Sequence, residues 1–275
     1  MTFLIRKAIK LILLLPIGLL FRFFKKQEPQ ATILMYHRVN DDIKKELSVS
    51  IENFLWQMNY LKRHQYEVIT MDLLMKRVKE KKLTNKTIVL TFDDGYMDYF
   101  ETTYPILKKF NFPSIQYLVP SYIETDKIFW WDQDLGSNQL MNWCQIVEIS
   151  KSRLVQFGAH TVNHLDLDRI DEKMLGSEIL VCKHILENRL NIPVYHFSYP
   201  RGRYNNMSEN YVRNLYASGV SIFKGKPVTN KLASTDYAIL KRVPIQRSDG
   251  KILFIARLKG WLVLEEFLRR LLNKL

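Results

Sequence analysis

The chain has 275 residues, 47% hydrophobic and 25% charged, a globular composition able to bury a sizeable core. Its charge of +13 argues against a nucleic-acid partner because of where it sits: residues 1–30 carry six basic residues and one acid, residues 251–275 six and two, leaving only +4 between them. Two cysteines, Cys144 and Cys182, exclude a disulfide framework and read as buried core residues.

In chain order, the first element is the apolar stretch RKAIKLILLLPIGLLFRFFKK. Its uncharged run, residues 11–21, is short of the roughly 20 residues of a spanning helix and suits a signal-peptide core. No small-x-small cleavage site follows. With Lys10 and Arg22 snorkelling, residues 8–24 could cross a thin bilayer, although Pro16 and Gly18 weaken a straight helix. Residues 1–30 therefore read as an uncleaved membrane anchor or interfacial helix. Basic residues on both flanks leave its orientation open. Basic charge beside apolar sequence fits an anionic membrane surface, so the expected location is membrane-associated in a cell envelope.

The body, residues 31–250, alternates β-rich runs with helical ones. The strand candidates are 32–36, 87–92, 114–119, 154–158, 196–199, 220–223 and 237–240; helical patterns cover 51–64, 97–110, 172–190 and 208–218. Such alternation implies parallel pairing and right-handed crossovers, and about seven strands predict a (β/α) barrel. Chemistry in such barrels gathers at the C-terminal strand ends, where His37, Asp93, Asp94, His160 and Tyr199 fall. Residues 251–275 close the chain as an amphipathic helix. Phe254, Leu258, Trp261, Leu264, Leu268, Leu271 and Leu275 share one face, and Lys259, Glu266, Arg270 and Asn273 lie opposite. It either packs on the domain or lies on a membrane surface with Trp261 near the headgroups.

Two clusters need a chemical explanation. IVLTFDDGYMDYF, residues 88–100, ends a strand on two adjacent carboxylates that repel each other. An Asp-Gly turn accounts for the local sequence but not for the doubled charge. GAHTVNHLDL places His160 and His164 four residues apart, close enough to reach one metal ion from a helical turn or tight loop. Neither Thr161 nor Asn163 can act as a base, so a base must come from elsewhere. One carboxylate of the Asp93–Asp94 pair with the two imidazoles makes a three-donor site with open positions, and the other carboxylate can take a proton. A bound cation also relieves the repulsion between the two charges.

TFDDG, HTVNH and FSYPRG, in that order, resemble the leading motifs of the polysaccharide deacetylase family, the NodB-homology domain of carbohydrate esterase family 4. The resemblance covers residues 31–245. It implies a distorted (β/α)7 barrel, Asp93 as catalytic base, and Asp94, His160 and His164 as ligands of a divalent metal ion, with zinc expected. It further implies an oxyanion contact from the Tyr199 backbone N–H. The family's usual C-terminal Leu-x-His is missing, since no histidine follows His196. The chain instead carries YHRV, similar to the circularly permuted poly-N-acetylglucosamine deacetylase subgroup, which implies His37 as general acid. KRVPI resembles that subgroup's closing strand and implies that Arg242 orients a site carboxylate. The expected function is metal-dependent N-deacetylation of an amino sugar in a cell-envelope glycan or lipid-linked saccharide, with Trp130, Trp131 and Tyr204 as walls for the ring. A peptidoglycan deacetylase, a deformylase, and an inactive glycan- or lipid-binding relative are the alternatives.

Overall fold

Seven short runs, apolar on both faces, form a closed parallel barrel. A strand covered by helices outside and by packed side chains inside has no polar face to show. The computed structural model describes residues 3–23, 30–222, 224–262, 264, 265, 267 and 268. The barrel strands are β1 (Gln30–Tyr36), β2 (Thr87–Phe92), β3 (Ser114–Leu118), β4 (Val155–Ala159), β5 (His196–Ser198), β6 (Ser218–Ser221) and β7 (Leu240–Pro244). They pair in chain order, and β7 returns to β1 through Ile33↔Arg242 and Leu34↔Val243. Every pairing in the ring is parallel, so all seven C-terminal ends lie at one mouth.

Strand alternation splits the core in two. Leu34, Tyr36, Leu90, Phe92, Phe157 and Phe197 pack with Phe54, Met58, Leu61, Ile179, Cys182 and Leu186 of the surrounding helices. Ile33, Val89, Ile115, Tyr117, Val220 and Leu240 form a second cluster, sealed by Met71, Leu74, Met75 and Val78 of the helix Met71–Lys79. That helix closes the end away from the mouth. It and Trp143–Ser150 are too short for their periodicity to stand out in the sequence; their caps, Thr70 to the Leu73 amide and an Asn142–Gln145 capping box, were the legible signals.

Two predicted elements differ. The run 237–240 is mostly a 3-10 turn, Ser234–Ile239, and the strand begins at Leu240. The run 97–110 opens on a π turn, Tyr99–Thr103, before the α-helix Tyr104–Phe110; Pro105 has no N–H to continue an α-helical ladder backward. Of the cysteines, Cys182 is buried but Cys144 is exposed.

The two ends pack together. The N-terminal rod runs through Phe3–Ile9, the π segment Lys10–Leu14 and Leu15–Phe23. The helix Gly250–Leu258 lies against the barrel, with Phe254 and Leu258 in the main core. It stops at Lys259 with Gly260 at φ 63°, so the C-terminal stripe is broken there and not one continuous helix. Glu266, Arg270, Leu271, Asn273 and Leu275, like Phe24, lie outside the described residues. Leu14 joins Leu253, Ala256 and Leu262 in an apolar cluster. A Cβ at Gly18 would sit 1.7 Å from the Trp261 carbonyl oxygen, so only glycine lets the rod approach this closely. Among the described residues no helix is long and apolar enough to cross a membrane.

Candidate active site

β2 delivers Thr91 and Asp93 toward the barrel interior, and the chain then turns sharply, with Asp94 at φ 75° and Gly95 at φ 83°. Asp tolerates the left-handed region better than most residues. Asp93 is gripped by Arg242 of β7: Nη1 donates to Oδ1 at 2.6 Å and Nη2 to Oδ2 at 2.7 Å. The same guanidinium donates to Thr91 Oγ1 at 3.2 Å and Ser198 Oγ at 2.9 Å, and it is wholly buried. Burial pushes the Asp93 carboxyl up, but the charge of Arg242 outweighs it and holds the group well below the usual carboxylate range.

His160 follows β4. Its Nδ1 lies 2.7 Å from the Ser198 carbonyl, which can only accept, so Nδ1 carries the hydrogen and Nε2 offers its lone pair. The loop beyond it places Thr161 at φ 64° and His164 at φ 57°. Left-handed non-glycine backbone of this kind costs about 1–3 kcal/mol per residue and needs surrounding support. Glu178 supplies it: its carboxylate accepts from the Asn163 amide at 2.8 Å and side chain at 2.7 Å, and its carbonyl from the Val162 amide at 3.2 Å. Nε2 of both His160 and His164 then lies 3.6 Å from Asp94 Oδ1.

These three residues form a built donor set. One ligand atom from each falls within 4.8 Å of the others. Both Asp94 oxygens are buried without a hydrogen-bond partner, and such groups are normally satisfied. Burial and the neighbouring Asp93 push the Asp94 carboxyl well above its ordinary value. Burial lowers both imidazoles, keeping them neutral with a lone pair to offer. Two neutral imidazoles and an unsatisfied buried carboxylate fit a divalent cation, which would meet all three needs.

A cavity of about 320 Å³ opens over this cluster. His37, at the end of β1, reaches it with Nδ1 unpartnered, and burial lowers the imidazole to about 4. Trp130 and Trp131 wall one side. The Trp131 indole donates to Tyr96 Oη at 2.9 Å, which donates to Asp132 at 2.7 Å, and its ring stacks on Phe129 with centroids 4.6 Å apart. Trp131 is thereby fixed, whereas Trp130 is exposed.

Two expected contacts fall elsewhere. The Tyr199 amide donates to the Val220 carbonyl at 3.1 Å, because the β5–β6 ladder runs one residue past β5. Its backbone N–H is engaged in the sheet and does not face an oxyanion. Arg201, two residues on, at φ 55° after Pro200, lines the cavity in its place. Tyr204 packs on Tyr199 and donates to the Lys224 carbonyl, away from the cavity lining. His196 sits at the opposite barrel end, bonded to Asp72 and Ser218 at 2.9 Å. Sequence reasoning missed Glu178, Ser198 and Tyr96, whose support for the site rests on contacts far apart in the chain.

Residues 80–220 match the family model for polysaccharide deacetylase. YxkH of Bacillus subtilis (strain 168), named for polysaccharide deacetylation, is 27% identical over 185 residues, 66% of this chain and 61% of that protein. The poly-beta-1,6-N-acetyl-D-glucosamine N-deacetylase of Escherichia coli (strain K12) is 29% identical over 140 residues, 47% of this chain but only 20% of that one. The chain thus spans less than two thirds of these relatives. Among solved structures, the Streptococcus pyogenes deacetylase PplD shares the fold with TM-score 0.71 at 24% identity, covering 84% of this chain and 99% of that one. IcaB from Ammonifex degensii does so with TM-score 0.71 at 20% identity, covering 86% and 98%.

Proposed function

The chain belongs to the polysaccharide deacetylase family, and from that premise we propose that it is a metal-dependent N-deacetylase acting on an N-acetylated amino sugar of a cell-envelope glycan or lipid-linked saccharide. The observation that carries this is the meeting of Asp94, His160 and His164 with an Arg242-held Asp93 and an unpartnered His37 around one cavity.

Asp94, His160 and His164 would hold the ion, zinc being expected. Such an ion supplies Lewis acidity toward the acetamide carbonyl and the attacking water. Asp93, kept ionised and oriented by Arg242, takes the water's proton as its oxygen bonds to the carbonyl carbon. The C–N bond then breaks, and His37 gives a proton to the departing amine. Burial holds His37 at about 4, so it starts neutral at pH 7; the proton it passes to the amine is the one Asp93 has taken from the water, and its low intrinsic basicity makes it a strong donor. The products are acetate and a free amino sugar. Trp131 offers a fixed apolar wall for the sugar ring. The relatives named for poly-beta-1,6-N-acetyl-D-glucosamine supply the substrate class.

The test is incubation of the zinc-loaded full chain with β-1,6-linked N-acetylglucosamine oligosaccharides, reading acetate and free amine. Metal-dependent release of both in equal amounts is expected. A chain that binds zinc yet releases no acetate from any N-acetylated amino sugar would be a binding protein instead.

A further inference from the structure

The rod of residues 3–23 buries one stripe and exposes another. Lys10, Leu14 and Gly18 face the protein. Leu4, Ile5, Ile9, Ile12, Leu13, Ile17 and Leu20 face outward at spacings of one, three and four, with Leu4 78%, Ile12 71% and Leu20 69% exposed. Lys10, the only charge to interrupt the apolar sequence between Lys7 and Arg22, is withdrawn from that surface. Its Nζ donates to Asp249 and Gln246 at 2.7 Å and to Ser248 at 2.9 Å. The outer stripe from Leu4 to Leu20 is therefore uncharged, and a row of exposed apolar side chains of this kind marks an interaction surface. Ile252, on the adjoining helix, and Phe267 and Leu268, beyond Gly260, are exposed as well.

We propose that this face docks on the surface of an anionic lipid bilayer, the rod lying in the plane of the headgroups. Charge selects the occupant. The first 27 residues contain no acid, and Arg6, Lys7, Arg22, Lys25 and Lys26 bracket the stripe in sequence. Two copies of this face would set like charge against like charge, whereas anionic headgroups complement it. The Lys10 clasp decides geometry: to leave the barrel and cross the bilayer, the rod would have to strip Lys10 of Asp249, Gln246 and Ser248 and carry its charge into hydrocarbon. This inference is independent of the catalytic reading, since binding needs no turnover.

The test is co-flotation of the full chain with phosphatidylcholine vesicles and with vesicles that also contain phosphatidylglycerol. Wild-type protein should float with the anionic vesicles, less so at high salt. Ile12→Asp and Leu20→Asp should each lower the partition about tenfold or more, as expected for losing the burial of one aliphatic side chain. Both variants should keep the thermal unfolding midpoint and zinc content of the wild type, since the substituted side chains touch solvent. Wild-type protein that ignores anionic vesicles, or variants that float equally well, would overturn the proposal. So would a stripe-dependent dimer in sedimentation without vesicle binding, which would assign the face to a second copy.

Discussion

Arg242 and Asp93 stand 149 residues apart in sequence and meet as a two-pronged ion pair at 2.6 and 2.7 Å inside the barrel. The fork fixes where the carboxylate points and keeps it ionised where burial alone would protonate it. Arg242→Lys keeps a charge but cannot grip both oxygens. It should lower kcat by roughly 10- to 100-fold with zinc retained. Because the wild-type carboxyl titrates well below its ordinary value, the rise of kcat/KM with pH should lie at strongly acid pH in the wild type and move upward in the variant. A pH–rate profile unchanged by Arg242→Lys would reduce the pair to a packing contact.

The two adjacent carboxylates should separate cleanly on substitution. Asp93→Asn cannot accept a proton, so activity should nearly vanish while zinc stays bound. Asp94→Asn should instead weaken zinc binding itself, as should His160→Ala or His164→Ala. Metal content by mass spectrometry beside turnover decides this: full zinc in the Asp94 and histidine variants would sink the ligand assignment.

Zinc uptake should be visible as a proton. Burial and Asp93 push the Asp94 carboxyl well up, while burial pushes the two imidazoles down. In the metal-free protein Asp94 therefore keeps its proton to higher pH than an ordinary carboxyl, and the histidines lose theirs at lower pH than an ordinary imidazole. Binding must expel the Asp94 proton. Calorimetric titration in buffers of different ionisation enthalpy should report a proton release that grows as pH falls, and none of it from Asp94→Asn in whatever binding remains. Below the ordinary histidine value of about 6.5 the lowered imidazoles add little competition, so the fall of affinity with acid should come from the Asp94 proton and be missing in Asp94→Asn.

What the sequence disclosed followed from how local each constraint was. A metal's need for donors at short range is stamped on neighbouring residues, so Asp94 and the His160–His164 pair were readable. The barrel was readable because each strand repeats the same apolar run. The Tyr199 contact was misplaced because the ladder to Val220 extends one residue past the strand, and strand ends are not written in residue type. The run 237–240 looked like a strand on apolar content alone, yet Ala238 and Ile239 are buried from a 3-10 turn. Burial of Lys10 was unreadable, since its partner Asp249 lies 239 residues away.

His37 is where the chain departs furthest from the wider family's usual acid. An amine leaves poorly unless protonated, so His37→Ala should lower kcat by roughly 10²–10⁴ with zinc unchanged. With the free imidazole at about 4, its neutral form dominates above that pH. Turnover starts from that neutral form, so kcat/KM should show no fall near neutral pH from His37 losing a proton. Equal kcat in both proteins would leave His37 a strand-end residue without a chemical role.

The Lys10–Asp249 clasp should be measurable as stability. Lys10→Met removes the cation but keeps the stem, leaving Asp249 with Arg257 as its remaining charged partner. Stranding part of a buried carboxylate's hydrogen bonding costs about 1–3 kcal/mol, and for a domain of this size each kcal/mol lowers the unfolding midpoint by roughly 2–4 °C. Burial raises the Asp249 carboxyl, but Arg257 and then Lys10 outweigh it and hold it below its ordinary value. A depressed carboxyl contributes stability that is present above the unfolded value of about 3.9 and fades as pH falls through the folded one. The gap between wild type and Lys10→Met should therefore be full at neutral pH and close in strong acid. A midpoint unmoved by Lys10→Met at pH 7 would mean that the rod is held by its apolar contacts with Leu253, Ala256 and Leu262 alone.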